Sequence, residues 1–120
     1  MDARLRQGIR LFNKGRFFES HEVWEGLYAE AEDEHKPFLE GLVQLAAAFR
    51  IFADFGETKG PVRMIYQALI RLENYQPSYL QIRVTELSET MEAWAKETER
   101  ATGKSTFSIP KIRQERFTFL

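Results

Sequence analysis

The apolar run from Phe38 to Phe52 constrains the fold more than any other feature of the sequence. Its hydrophobic residues fall around the entire circumference of a helix, which is typical of a helix enclosed by others. These residues are Leu39, Leu42, Val43, Leu45, Phe49 and Ile51. The run is too short to cross a bilayer and contains polar side chains. It therefore predicts a buried central helix, from about residue 37 to 54, in a soluble domain.

Helical spacing of apolar residues also predicts four other helices. They cover about residues 3–14, 16–31, 62–74 and 78–102. Breaks at Gly15, the acidic segment before Pro37, the 55–61 turn, Pro77 and Gly103 separate or end the five helices. Before the tail, no segment has the alternating pattern that is typical of a β-strand. Because short links favour antiparallel neighbours, we expect an all-α fold, a compact array of about five antiparallel helices.

The length of 120 residues suits one domain, which we place at residues 1–102. Residues 103–120 form a basic and aromatic tail, and a free tail of this kind would leave apolar area in water. We therefore expect it to pack on the domain or on a second subunit, as in a homodimer. The apolar residues expected to make this contact are Phe107, Ile109, Phe117 and Phe119.

The balance of 17 basic and 18 acidic residues gives no overall field that would attract nucleic acid or an anionic membrane. We accordingly expect neither as a partner. The chain has no cysteine, which excludes disulfides and thiolate zinc sites. Its first residues do not resemble a secretion signal. These features together favour a cytoplasmic protein.

The segment from His21 to Glu25 resembles half of the zincin motif, in which two histidines four residues apart bind zinc. Glu25 stands where the second histidine would be. Residues four apart share one helix face, so His21 and Glu25 can both reach one metal ion, with Glu22 beside them. The alternative is a solvated carboxylate face with His21 at its border.

Glu40 and Gln44 form a second candidate pair, four residues apart on the helix predicted to be buried. Buried polar groups need partners, and the preceding helix is the nearest in sequence. We therefore expect Gln44 to lie within reach of His21 and Glu25 across the second and third helices. These residues would form either a structural hydrogen-bonded network or a metal-binding pocket. Glutamine is a poor metal ligand, which favours the network.

Other motifs are weaker. The sequence has no glycine-rich phosphate loop, serine nucleophile elbow or paired-histidine motif. His35 lies in the acidic link and is expected to be exposed. Aromatic residues of the second helix recur at helical spacing, which predicts core packing and not a ligand site. They are Phe17, Phe18, Trp24 and Tyr28.

Two segments resemble prokaryotic domain-of-unknown-function family 309. They are residues 13–25, which contain Gly15, paired phenylalanines and His21-Glu22, and residues 38–48, which contain Gly41 and Gln44. The resemblance covers about residues 9–73 and implies an all-helical cytoplasmic protein without an established activity, substrate or cofactor. It draws attention to signature positions, namely Glu19, His21, Glu22, Glu25 and Gln44. The chain departs from the family pattern at Glu40, Arg50 and Pro61, where glutamine, histidine and alanine are usual.

Two functions fit the sequence. The first is a non-enzymatic binding or scaffold module without a cofactor. Its hairpin resembles a tetratricopeptide unit, although one unit does not make a solenoid. The second is a metal-assisted hydrolase in which His21 and Glu25 bind a divalent metal. Glu22 or Glu40 would then be the general base, and Gln44 would orient water.

Overall fold

The computed structural model describes residues 2–101 and 108–115, and it confirms the all-α fold. Within these residues there are five α-helices, each packed against the next along the chain. They are α1 (Ala3–Asn13), α2 (Phe17–Glu30), α3 (Lys36–Phe55), α4 (Lys59–Leu72) and α5 (Val84–Arg100). Short 3₁₀ turns, Asp33–His35 and Glu73–Tyr75, precede α3 and follow α4.

Local interactions explain why the first helices begin and end where they do. The Asp2 carboxylate accepts the Arg4 backbone N–H at 2.8 Å and thereby caps α1. Gly15 and Gly56, just after α1 and α3, have φ angles of 80° and 68°, which glycine adopts without strain. Pro37 lies in the first turn of α3, where no backbone N–H is required.

Helix α3 lies at the centre of the core, as predicted. Leu42, Leu45 and Phe49 each have 0% of their surface exposed. The Phe49 ring contacts both Phe12 of α1 and Trp94 of α5, so the core joins distant parts of the chain. The surface of α3 is nevertheless not apolar on every side. Glu40 is exposed and Gln44 is half-buried, which leaves a polar strip on this helix.

Two glycines allow close contact between helices. Gly8 of α1 lies against the buried indole of Trp24, which donates a hydrogen bond to the Leu5 carbonyl at 3.3 Å. The buried Ser20 hydroxyl donates to the Gly8 carbonyl at 2.9 Å. Gly41 of α3 similarly faces Leu72 of α4. These contacts fix α2 on α1 and α4 on α3.

The helix boundaries of the second half differ from the prediction. Helix α4 begins at Lys59, so Pro61 lies in its first turn and not in the preceding link. Helix α5 begins only at Val84. Residues 78–83 instead form an antiparallel hairpin, β1 (Ser78–Tyr79) and β2 (Ile82–Arg83). The expectation of no β-structure before the tail was therefore wrong.

The described part of the tail packs on the domain. Ile112 is 2% exposed, and Ile109 is partly buried against the core. The Asn13 side-chain amide donates to the Ile112 carbonyl at 2.9 Å and accepts the Ile112 N–H at 2.8 Å. The Glu115 N–H donates to the Gln81 carbonyl at 2.8 Å. Phe107, Phe117 and Phe119 lie outside the described residues.

Among the described residues, no helix combines the length and apolar character needed to cross a membrane.

Candidate metal site and the polar face of helices α2 to α4

His21, Glu22 and Glu25 come together on α2. One potential ligand atom of each lies within 4.8 Å of the other two, and this is the one such group of three among the described residues. His21 Nδ1 and Glu25 Oε2 are 3.2 Å apart across one helical turn. The His21 side chain is 23% exposed and that of Glu25 is 57% exposed. The group is therefore open to solvent.

Two contacts between α2 and α3 lie on either side of this group along α2. The Arg50 guanidinium lies 4.5 Å from the centre of the Phe18 ring, and the Lys36 ammonium lies 5.2 Å from the centre of the Tyr28 ring. Both are cation–π contacts, and each contributes about 0.5–1 kcal/mol at an exposed site to the packing of α2 on α3. We call this surface the α2–α3 seam. It comprises Phe18, His21, Glu25 and Tyr28 of α2 with Lys36, Glu40, Val43 and Arg50 of α3.

Glu25 and Glu40 face the same depression in the α2–α3 seam. This cavity has a volume of 190 Å³ and is also lined by Tyr28 and Val43. Two carboxylates beside one cavity repel each other unless a cation or a proton compensates their charge. The two acidic residues of this cavity come from different helices, Glu25 from α2 and Glu40 from α3.

Gln44 has its partners on α4, so the prediction that α2 supplies them was wrong. The Gln44 amide donates to Gln67 Oε1 at 2.8 Å and accepts from Arg71 Nη1 at 3.2 Å. Arg71 also reaches Glu40 Oε1 at 3.3 Å. Helix α3 has a neighbour on each side, and Gln44 points toward the later one. Proximity in sequence did not identify the correct neighbour.

Glu19 is separate from the His21 group. It forms an ion pair with Arg16 in the first turn of α2, and such exposed pairs contribute at most about 1 kcal/mol. Its negative charge near the helix N-terminus also interacts favourably with the helix dipole. The structure therefore gives Glu19 a local role in α2.

His35 is partly buried, so the prediction that it is exposed was wrong. Its Nδ1 and the Tyr79 hydroxyl are hydrogen-bonded, and the two rings lie 5.5 Å apart. Burial, followed by the charge of Glu34, raises the pKa of Tyr79. Tyr79 lies in the hairpin, which the sequence pattern predicted to be helical, so Tyr79 was not identified as a partner of His35.

Gln67 and Arg71 were also missed as members of the polar face. They are four residues apart on α4, and they pair with Glu40 and Gln44, which are four apart on α3. This matched spacing on consecutive helices was the signal in the sequence that could have identified them.

Aromatic packing was correctly predicted for Phe17 and Trp24, which are buried, whereas Phe18 is 47% exposed.

The fold and this site define a small all-α protein whose sequential antiparallel helices carry a surface histidine–carboxylate group. The chain belongs to the family described as Domain of unknown function (DUF309), whose family model matches residues 5–64, half of the chain. No curated protein matches the sequence. His21, Glu22, Glu25, Glu40 and Gln44 all fall within the matched segment, while Arg71 and α5 lie beyond it.

Proposed function

We propose that the chain is a non-enzymatic binding module that holds a divalent cation at His21, Glu22 and Glu25. The observation that carries this proposal is the convergence of three potential ligand atoms within 4.8 Å on one exposed helix face. The cation and the surrounding α2–α3 seam together form the binding surface. The partner contributes an anionic group to the cation.

The residue types suit a transition metal. Imidazole and carboxylate groups bind Zn²⁺, Mn²⁺ and Fe²⁺, whereas a set of oxygens alone would favour Mg²⁺ or Ca²⁺. Three protein ligands leave coordination positions open, and an exposed site makes these positions accessible to another molecule. A bound cation also offsets the repulsion between Glu22 and Glu25. We therefore expect Zn²⁺ or Mn²⁺.

Three features favour binding over catalysis. The cavity beside the site has a volume of 190 Å³, below the roughly 300–1,000 Å³ typical of small-molecule pockets. Glu40, one candidate general base, is paired with Arg71. Gln44, the candidate for orienting water, has its amide oxygen and nitrogen engaged by Arg71 and Gln67. Two of the groups that a hydrolase would use are thus held by α4.

Metal titration tests the cation site. Isothermal titration calorimetry of the purified protein with Zn²⁺ and with Mn²⁺ should show one bound ion per chain. His21→Ala should weaken the affinity by more than about tenfold, because a direct ligand is lost. The chain has two histidines, so His35→Ala is the matched control and should bind like the wild type. Equal losses in both variants, or no binding of either ion, would disprove the proposal.

A metal-assisted hydrolase is the second candidate, because Glu22 lies beside the two proposed ligands His21 and Glu25. In this case His21 and Glu25 would hold the metal, the metal would lower the pKa of a nearby water, and Glu22 would accept a proton from that water. Turnover of p-nitrophenyl acetate or p-nitrophenyl phosphate by the Zn²⁺- or Mn²⁺-loaded protein distinguishes the two functions. A rate that is abolished by Glu22→Gln while the metal stays bound supports the hydrolase. Metal binding without turnover supports the binding module.

A further inference from the structure

A second cavity lies between α4 and α5, away from the proposed cation site. Its volume of 610 Å³ falls within the range of small-molecule pockets. Basic, hydroxyl-bearing and apolar side chains line it together, which is the composition expected for an amphipathic ligand. The residues used below are Lys59, Val62, Arg63, Tyr66, Ile70 and Thr98.

The charge at one end of this cavity is positive. Lys59 and Arg63 are exposed, lie four residues apart on α4, and form no ion pair with the other described residues. Among the described residues, no side chain caps the first turn of α4, so its backbone N–H groups add partial positive charge there. Glu99 is the acidic residue in the lining, and its carboxylate accepts a 2.6 Å hydrogen bond from the Tyr66 hydroxyl. This bond raises the pKa of Tyr66 to about 12.

Thr98 supplies an independent sign of a ligand. It lines the cavity although it is only 3% exposed, and its hydroxyl has no hydrogen-bond partner in the part of the chain that the structure describes. A buried hydroxyl without a partner is unfavourable, because it has lost its hydrogen bonds to water. An acceptor atom of a bound molecule would restore the missing bond.

The rest of the cavity is suited to an apolar body. Val62 forms part of the wall, and Ile70 is 71% exposed, which is unusual for so large an aliphatic side chain. A neighbouring cavity of 390 Å³ shares Tyr66 and Ile70, and its other lining residues are Leu69, Glu73, Gln76, Ser88 and Glu92. From Lys59 to Ile70 the helix rises about 16 Å. Along α4 the groove therefore runs from the basic residues Lys59 and Arg63 to the apolar side chain of Ile70, beyond which the neighbouring cavity is acidic.

We infer that this groove binds a small amphipathic carboxylate. Its head group lies at Lys59, Arg63 and the N-terminus of α4, and its alkyl or aryl body lies along Val62 and Ile70. The site is independent of the cation at His21, Glu22 and Glu25. The two proposals can therefore fail separately.

Decanoate is a suitable probe, used below the concentration at which it forms micelles. In ¹⁵N–¹H correlation spectra of the full chain, it should shift the amide signals of residues 58–70 and 98–101 and leave those of α1 unchanged. Decanol has the same alkyl chain without the charge, and inorganic phosphate is an anion without the chain. Both should bind more than about tenfold more weakly. Equal affinity for decanol or for phosphate would overturn the proposal.

Variants test the basic end and the buried hydroxyl. The double substitution Lys59→Ala/Arg63→Ala should weaken decanoate binding by more than about tenfold, because both charges are removed. Arg10→Ala/Lys14→Ala removes two exposed cations, one from α1 and one from the residue just after it, and should bind like the wild type. Thr98→Val keeps the shape of the side chain and should weaken binding several-fold. Unchanged affinity in the α4 variant, or equal losses in both double variants, would overturn the proposal.

His21→Ala separates the two sites. We expect this variant to bind decanoate with wild-type affinity even where its metal affinity is lost. A parallel loss of decanoate binding would show that the groove is not an independent site.

Discussion

Gly8 shows how a single residue determines the distance between two helices. A Cβ atom at this position would lie only 2.5 Å from Cδ1 of Trp24 and the same distance from Cε2. The indole cannot retreat easily, because it is fully buried and its N–H donates to the Leu5 carbonyl. The close contact of α1 and α2 therefore depends on the absence of a side chain at Gly8.

Gly8→Ala should destabilise the protein by roughly 2–3 kcal/mol, since the added methyl group overpacks the interface. Gly26→Ala is the matched control on α2, where a Cβ would have no neighbour within 4 Å. It should stabilise the protein by about 0.5–1 kcal/mol through the better helix propensity of alanine. Urea denaturation of both variants measures the two effects. If Gly8→Ala were also neutral or stabilising, the described contact with Trp24 would be incorrect.

The sequence predicted local residue geometry better than residue partners. His21 and Glu25 were expected to meet because helical spacing alone places them together, and they lie 3.2 Å apart. Gln44 was expected to meet the same residues, but it bonds to Gln67 and Arg71. Which of two flanking helices a side chain faces depends on the rotation of α3 about its axis. That rotation results from packing of the whole core.

At the scale of elements, the start of α5 illustrates where pattern recognition fails. Val84, Leu87, Met91 and Trp94 are buried on one face, as their spacing predicts. Leu80 continues the same spacing, yet it lies in the turn of the hairpin with φ 47°. Leu80 and Gln81 form this turn without the glycine or asparagine that usually marks it. The residue types therefore gave no indication of a break before α5.

Gln81→Gly should stabilise the hairpin. Gln81 has φ 66°, a left-handed conformation that costs a residue with a side chain about 1–2 kcal/mol and glycine much less. After the extra chain entropy of glycine in the unfolded state, a gain of about 0.5–1 kcal/mol should remain. Thermal or urea unfolding measures it. Gln7→Gly, in the interior of α1, is the control and should lose about 1 kcal/mol. Destabilisation of similar size at both positions would contradict the turn geometry.

For the molecule as a whole, short links and amphipathic patterns were sufficient to predict the order and packing of the helices. Each consecutive pair of helices packs together, and α3 is central. The contacts between the tail and the rest of the domain could not be predicted from the sequence. Ile112 is buried, and Gln114 bridges to Ile82 of the hairpin, a pairing that depends on an element absent from the predicted fold.

Removing residues 105–120 should lower the melting temperature by roughly 10 °C. The burial of Ile112 alone contributes about 2 kcal/mol, and each kcal/mol corresponds to several degrees in a domain of this size. Differential scanning calorimetry measures the change. Truncation after Glu115 is the matched comparison, because it keeps Ile112 and isolates the effect of Phe117 and Phe119. Light scattering of both proteins tests the expected homodimer contact. An unchanged melting temperature in the longer deletion would show that the tail contributes no stability.

The hydrogen bonds between Asn13 and Ile112 join residues 99 positions apart, one in the first helix and one near the end of the chain. A ribosome adds about 5–20 residues per second, so Asn13 is synthesised roughly 5–20 s before Ile112. During that interval the backbone groups of Ile112 that the Asn13 amide binds do not yet exist. The native contacts of α1 are therefore complete only after residue 112 has left the ribosome, and nascent chains that stall earlier expose the surface of α1 that Ile112 and its neighbours cover.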